Sequence, residues 1–271
     1  HVDDVVHTHT EHPWDMVDGR VVKREGIETE TVLDSHNAAQ ALAVHVSDDL
    51  GVGPVRLLPG VRHEVITTRT GSTATGPDDP QTHRVWLPGL GVFYGVSDLL
   101  GLLASANQGF SPIPPGSAED AEPETAWNYE AGMRFQSETT NVELVGFLSK
   151  YTNLAAVATL SSGSSLELLD QQLDAGRAQV RGIEASAGQE VELGRGWAMS
   201  VDGTYAFTDA RFESTFESKF SQFGDVEAAD LLPYVPRHQG AGAISAVHDR
   251  WTIAAKAVGR SSMRDVAGDG D

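Results

Sequence analysis

The charged side chains with the most regular placement are Glu130, Arg134 and Glu143, joined further on by Asp202 and Lys256. Each falls on the polar side of a two-residue alternation. Carboxylates, guanidinium and ammonium at that spacing can hydrate a cavity or pair with a polar partner, but they do not form a bond-making constellation. A second group, His1, His7, His9 and His12 with Glu11, has metal-ligating side chains. Its spacing matches no closed structural site, so a solvated segment is expected and no metal site is assigned. Ser, His and Asp are plentiful, yet there is no GxSxG elbow, no HExxH and no phosphate-cradling glycine loop. LGRGW at 193–197 reads as a turn. No catalytic residue is assigned, no enzyme is expected and no cofactor is implied.

Ligand capture is the remaining chemistry, and it belongs to connecting segments carried on a rigid scaffold. Phe110, Tyr151, Phe212, Phe216 and Tyr234 offer aromatic surface there. Arg211, Lys219 and Arg237 could hold an anionic ligand by charge-assisted hydrogen bonds. The local balance works against a strongly anionic one: residues 108–125 carry four acids and no base, and 208–235 carry six acids and two bases.

These residues need elements to position them, and the composition narrows the choice. The chain has 271 residues, 28 of them Gly, with 39 acidic and 19 basic side chains for a net charge of −20. Such a chain repels nucleic acid, so no nucleic-acid partner is expected. It has no cysteine, hence neither disulfides nor thiolate chemistry. No apolar run approaches the roughly 18–20 residues of a membrane helix. Spanning by strands stays open.

The stretch 127–151, WNYEAGMRFQSETTNVELVGFLSKY, reads as two strands around a SETT turn. Tyr129, Ala131, Met133 and Phe135 alternate with Asn128, Glu130, Gly132 and Arg134; Val142, Leu144, Gly146 and Leu148 alternate with Asn141, Glu143, Val145 and Phe147. A soluble sandwich would turn the charged face to water. A membrane barrel turns the greasy face to lipid and the charges to the lumen. The connections favour the barrel. Turns near 48, 97, 137, 191 and 249 alternate with long links near 67, 108, 152 and 208, whereas long structureless links are uncommon in soluble domains. Trp197 to Phe207 is 11 residues, within the ~9–11 of a tilted spanning strand. Trp197, Trp251 and Phe135 sit at short-turn ends and Tyr129, Tyr205 and Phe207 at long-loop ends, as two interfacial girdles would require. Pro59 inside the second strand argues for a bulge or a locally unpaired site.

Five segments in order, QALAVHVSDDLGVGPVRLLPGVRHE, LPGLGVFYGVSDLLGLLASANQGFSP, EPETAWNYEAGMRF, VRGIEASAG and LPYVPRHQ, resemble the barrel of TonB-dependent outer-membrane receptors, most of all the siderophore and ferric-citrate type. The resemblance covers about residues 38–260. It implies an all-β, antiparallel transmembrane β-barrel, here partial, with about 10–12 of 22 strands. It also implies a Gram-negative outer-membrane location and TonB-dependent uptake of a ferric chelate. A plug domain and TonB would be partners through parts that this chain lacks, and outer-membrane lipid would surround it. Receptors for cobalamin or an oligosaccharide, or a plug-free porin, are the alternatives. The expected layout is an extracellular loop region with a possible short strand over 1–36, middle-to-late barrel over 37–260, and the start of a truncated extracellular loop over 261–271. Glu130, Arg134, Glu143, Asp202 and Lys256 would face the lumen. The absence of a plug and a TonB box leads us to expect a piece of a longer polypeptide.

Overall fold

A computed structural model describes residues 2–11, 14–17, 20–23, 30–72, 76–113, 122–157, 172–174, 176–218 and 222–268. Every regular element among them is a strand. Twelve join one antiparallel sheet: β1 (Val2–Glu11), β2 (Glu30–Ser47) with its continuation β3 (Leu50–Val52), β4 (Val55–Arg69), β5 (Gln81–Gly95), β6 (Leu100–Ser111), β7 (Glu124–Gln136), β8 (Thr140–Thr152), β9 (Ala178–Gly194), β10 (Trp197–Phe212), β11 (His238–His248) and β12 (Trp251–Arg260). Neighbours in the sheet are neighbours in sequence, the up-and-down order of a barrel wall.

Register turns eleven separate alternations into one surface. Because residues directly opposite in an antiparallel ladder share a face, the pairings Val46 with Val61, Leu57 with Val92, Tyr94 with Leu102 and Leu102 with Met133 put these side chains on one side. Met133 with Leu144, Leu144 with Ala185, Ala185 with Tyr205, and Ile244 with Ala255 extend it across the sheet. This face is apolar and open: Leu42 is 65% exposed, Trp86 62%, Trp251 67% and Ile253 64%. A surface of that size is not left to water in a soluble monomer. The other face carries His45, Arg62, Glu64, Asn128, Glu130, Arg134, Glu143, Glu184, Asp202 and Lys256.

Three expectations are corrected. The first turn is not DDLGVG as a whole; β2 and β3 keep one register, Ser47 opposite Gly60 and Leu50 opposite Leu57, and the chain reverses at Gly53 and Pro54. Leu50 and Val52 continue the apolar alternation, so pairing them conserves the face, and Gly53 takes the φ of 58° that the two-residue turn needs. The ladder lapses only at Asp48 and Asp49. There the Asp48 N–H donates to the Pro59 carbonyl at 3.1 Å, and Pro59 has no N–H to return. This is the local gap expected of that proline. Second, 191 lies inside β9: the reversal falls at Arg195 and Gly196, beyond a bulge between Glu192 and Gly194. Third, the described parts of 1–36 are strands. Val2–Glu11 pairs with Glu30–Gln40, while the expected short strand at Arg20–Lys23 pairs with Trp14–Val17.

Strands run past the membrane-spanning length at the long-loop end, where β2 has 18 residues and β10 has 16. The tightest apolar packing lies there. Ala178, Phe212 and Val226 are at most 1% exposed, with Tyr151, Leu154, Phe216, Phe223, Leu232 and Ala267 against them. The sheet itself has no packed interior among the described residues; both of its faces are surface.

Candidate functional site

Two places gather polar side chains. The first is the charged face of the sheet. All five expected lumen residues lie on it by register: Arg134 is opposite Glu143, Glu130 is opposite Phe147, and Asp202 shares a row with Ala243 and Lys256. Arg134 Nε meets Glu143 Oε2 at 2.5 Å, and Ser105 donates to Glu130 at 3.3 Å. Ser149 donates to Asn128 Oδ1 at 2.8 Å, and Asn128 in turn donates to Asn107 at 3.2 Å. Beside this polar row, Gly60, Gly89 and Gly91 floor a trough of about 810 Å³ walled by His45, Arg62 and Asn107. Cross-strand glycines remove side-chain bulk and let another backbone approach closely.

The second place is the loop end of β9 and β10. Asp209, 6% exposed, receives Arg181 Nη2 at 3.1 Å, Arg211 Nε at 3.0 Å and Arg237 Nη2 at 3.5 Å. It lies two residues beyond Phe207, outside the spanning part of β10. Burial alone would raise its pKa; hydrogen bonds from Arg181 and Arg211, with their charges, outweigh that and hold the carboxyl below the ordinary value of 3.8. Arg211 also donates to the Ala229 carbonyl at 2.9 Å. The carboxylate therefore ties β9, β10 and the 213–237 connection together. Segment 261–268 is stitched onto the same connection: Leu231 N–H to Gly268 O, Tyr234 N–H to Arg264 O and Ala267 N–H to Gln222 O are each 2.8 Å. A cleft of about 500 Å³ opens between them, lined in part by Thr208, Arg237, His238, Ser261 and Arg264.

The ligand-contact expectations separate in this setting. Phe110 lies in β6 opposite Thr125, and Tyr151 lies in β8 opposite Ala178, so both are strand residues and not loop residues. Phe212 ends β10 at 1% exposure, with Phe216 and Phe223 edge-on at 5.4 and 5.3 Å; it holds the loop from inside. Arg211 and Arg237 serve Asp209. Tyr234 is open, 53% exposed, at a φ of 61°. Lys219 lies outside the described residues, as do His1 and His12; His7 and His9 belong to β1. No cluster of three or more metal-donor side chains occurs among the described residues.

Sequence reasoning missed Asp209 as a hub. The available signal was Asp-Ala-Arg at 209–211, which puts an acid and a base on one face once β10 is carried past Phe207. Aromatics stand at both ends of the wall strands. The Trp197 and His248 rings meet at a tilt with centroids 4.6 Å apart at the short-turn end, and the Tyr205 hydroxyl meets His238 Nδ1 at 2.7 Å at the other.

Comparison with known proteins agrees with this architecture. The family described as "TonB dependent receptor-like, beta-barrel" matches residues 10–271. Among solved structures, the ferric citrate transporter FecA in its unliganded form has a TM-score of 0.67 at 19% identity, over 91% of this chain and 35% of that one. The ferric-catecholate import receptor Fiu from E. coli K12 has a TM-score of 0.62 at 16% identity, over 99% and 42%. The ferric preacinetobactin receptor BauA from Acinetobacter baumannii has 0.61 at 15%, over 90% and 36%. This chain thus spans well under half the length of these structures, and at such identities they speak for the fold alone. An apolar face on an up-and-down antiparallel sheet, long connections at one end only and a family match over nearly the whole length lead to one assignment: the chain belongs to the TonB-dependent receptor β-barrel family, whose members are transporters and not enzymes.

Proposed function

We propose that this chain forms part of the barrel wall of a Gram-negative outer-membrane receptor that takes up a ferric chelate, a siderophore or ferric citrate, with energy delivered through TonB. The observation that carries the reading is the coherent two-faced sheet within a receptor family. The apolar face meets lipid. The face with Glu130, Arg134, Glu143, Asp202 and Lys256 meets the lumen and a plug domain carried elsewhere in the full polypeptide, and the glycine-floored trough accepts a plug backbone. Ligand is met above the membrane, at Tyr234 and the cleft of Arg237, His238 and Arg264. Guanidinium and hydroxyl groups there suit the oxygen-rich periphery of a chelate.

A second reading draws on the acidic connections, four acids and no base in 108–125 and six acids to two bases in 208–235. They favour a less anionic nutrient, cobalamin or an oligosaccharide. The test is uptake by cells that lack their own receptors and produce the full-length polypeptide. Accumulation of labelled iron from ferric citrate or a siderophore, abolished by deleting TonB, is expected. Growth rescue by cobalamin or an oligosaccharide in place of iron would move the assignment to the second reading, and diffusion of small solutes without TonB would make it a porin.

A further inference from the structure

Across β7 to β10 the apolar face is ordered in rows that run from the short turns to the long loops. Met133, Leu144, Ala185 and Tyr205 form one row; Ala131, Gly146, Ile183 and Phe207 form the next. Above them come Tyr129, Leu148, Arg181 and Asp209, and then Trp127, Lys150, Gln179 and Arg211. The second row has its two smallest residues, Ala131 and Gly146, side by side, followed by the large Ile183 and Phe207. The result is a depression of about 600 Å³ floored by Ala131 and Gly146, walled by Tyr129, Leu148, Ile183 and Phe207, and closed at its loop-side end by Arg181. The opposite side of the sheet is filled at this point, since the Phe147 ring lies where a Gly182 side chain would be.

Charge at the rim runs against the rest of the molecule. In a chain of net charge −20, the two rows above the depression hold Lys150, Arg181 and Arg211 against the single carboxylate of Asp209. That leaves two positive charges in excess, on the face that is otherwise apolar. Arg181 stays 60% exposed while it holds Asp209, and Lys150 is exposed. An apolar trough running up to a basic rim is complementary to an amphiphile with an acyl chain and an anionic head.

We propose that this surface docks one phosphate-bearing acyl lipid of the outward leaflet, its chain lying over Gly146 and its phosphate held by Arg181 and Lys150 with Arg211 behind. The site rests on the reading of this face as lipid-facing. It explains why a receptor wall places three bases outside its lumen. It also links lipid to the ligand side, because Arg181 holds the same carboxylate that organises the 213–237 connection.

The test uses the full-length polypeptide in detergent micelles, titrated with dioleoyl phosphatidic acid, dioleoyl phosphatidylcholine or inorganic phosphate, with bound lipid counted by native mass spectrometry. Saturable binding of one phosphatidic acid, at least ten-fold tighter than phosphatidylcholine and not displaced by millimolar phosphate, is expected. Lys150→Gln with Arg181→Gln should abolish the preference. Gly146→Leu should weaken phosphatidic acid about ten-fold while leaving the Asp209 contacts in place; a Cβ there meets only carbonyl oxygens at 3.8 and 3.9 Å, so the backbone has room for it. Equal binding of the two lipids, or variants that bind like the parent, would overturn the proposal. Heat-dependent gel mobility of the parent reports barrel insertion separately: a protein that inserts but shows no lipid preference defeats only this inference, while one that never enters a membrane defeats the reading beneath it.

Discussion

Arg134 and Glu143 stand directly opposite each other on the arms of the β7 and β8 hairpin, guanidinium Nε 2.5 Å from a carboxylate oxygen. One residue further along β8, Leu144 points the other way, opposite Met133. A single step in sequence therefore separates the wet side of the wall from the greasy one. With side chains 53% and 35% exposed, the ion pair contributes little, and Arg134→Ala should change stability by less than about 1 kcal/mol. Leu144→Arg should cost about 2–4 kcal/mol in a bilayer. Chemical unfolding in lipid vesicles compares the two; similar losses would mean that the faces are assigned the wrong way.

Asp209 should matter more than any charge on the wall. Asp209→Asn leaves three guanidinium groups around a neutral amide at a site with 6% exposure. Partial exposure of the arginines moderates the effect, and a loss of about 1–3 kcal/mol is expected. It should appear as faster proteolysis within 213–237, with the sheet intact. An unchanged cleavage rate would show that the carboxylate is not the tie.

The same group sets a pH dependence. Its folded pKa is depressed, so its contribution is present above the unfolded carboxylate value of 3.8 and is lost as pH falls through the lower folded value. The stability difference between parent and Asp209→Asn should stay constant from neutral pH to about 5 and shrink below it. Urea midpoints collected across that range measure it.

Phe212 and Tyr234 should part company. Phe212→Ala empties the 1% exposed centre of the loop cluster and should cost about 3–5 kcal/mol, lowering the thermal midpoint of the loop end. Tyr234→Ala removes a side chain that is 53% exposed and should leave stability within about 0.5 kcal/mol. If Tyr234 and the neighbouring loop-end cleft take the chelate together, Tyr234→Ala should lower chelate binding about ten-fold. Titration calorimetry with the full-length polypeptide reads this, and unchanged affinity would remove Tyr234 from the site.

Much of the wall was legible because strand periodicity is strict. Tyr129, Met133 and Leu144 could be put on one face from spacing alone, and the register confirms that they share it. What escaped was structure without an apolar alternation. β1, VDDVVHTHTE, has paired acids and paired valines that blur a period of two, and it is a strand because its backbone groups find partners in β2. The extension of β10 above the membrane escaped for a related reason. Asp209, Arg211 and Phe212 read as an acidic loop, because a polar run carries no sign of whether the ladder continues. Phe212 looked like a ligand contact; as an aromatic in a polar stretch, it was filling a small local core that only the meeting of three segments reveals.

The three backbone hydrogen bonds between the 222–234 stretch and residues 264–268 have a mechanical meaning. They clamp the segment leading into β11 to the segment leaving β12, so the two crowns above that hairpin form one body instead of two tethers. A force or a bound molecule acting on either crown is delivered to both, and through the Leu232 N–H to Ala210 O bond and the Asp209 contacts it reaches β9 and β10 as well as the hairpin beneath.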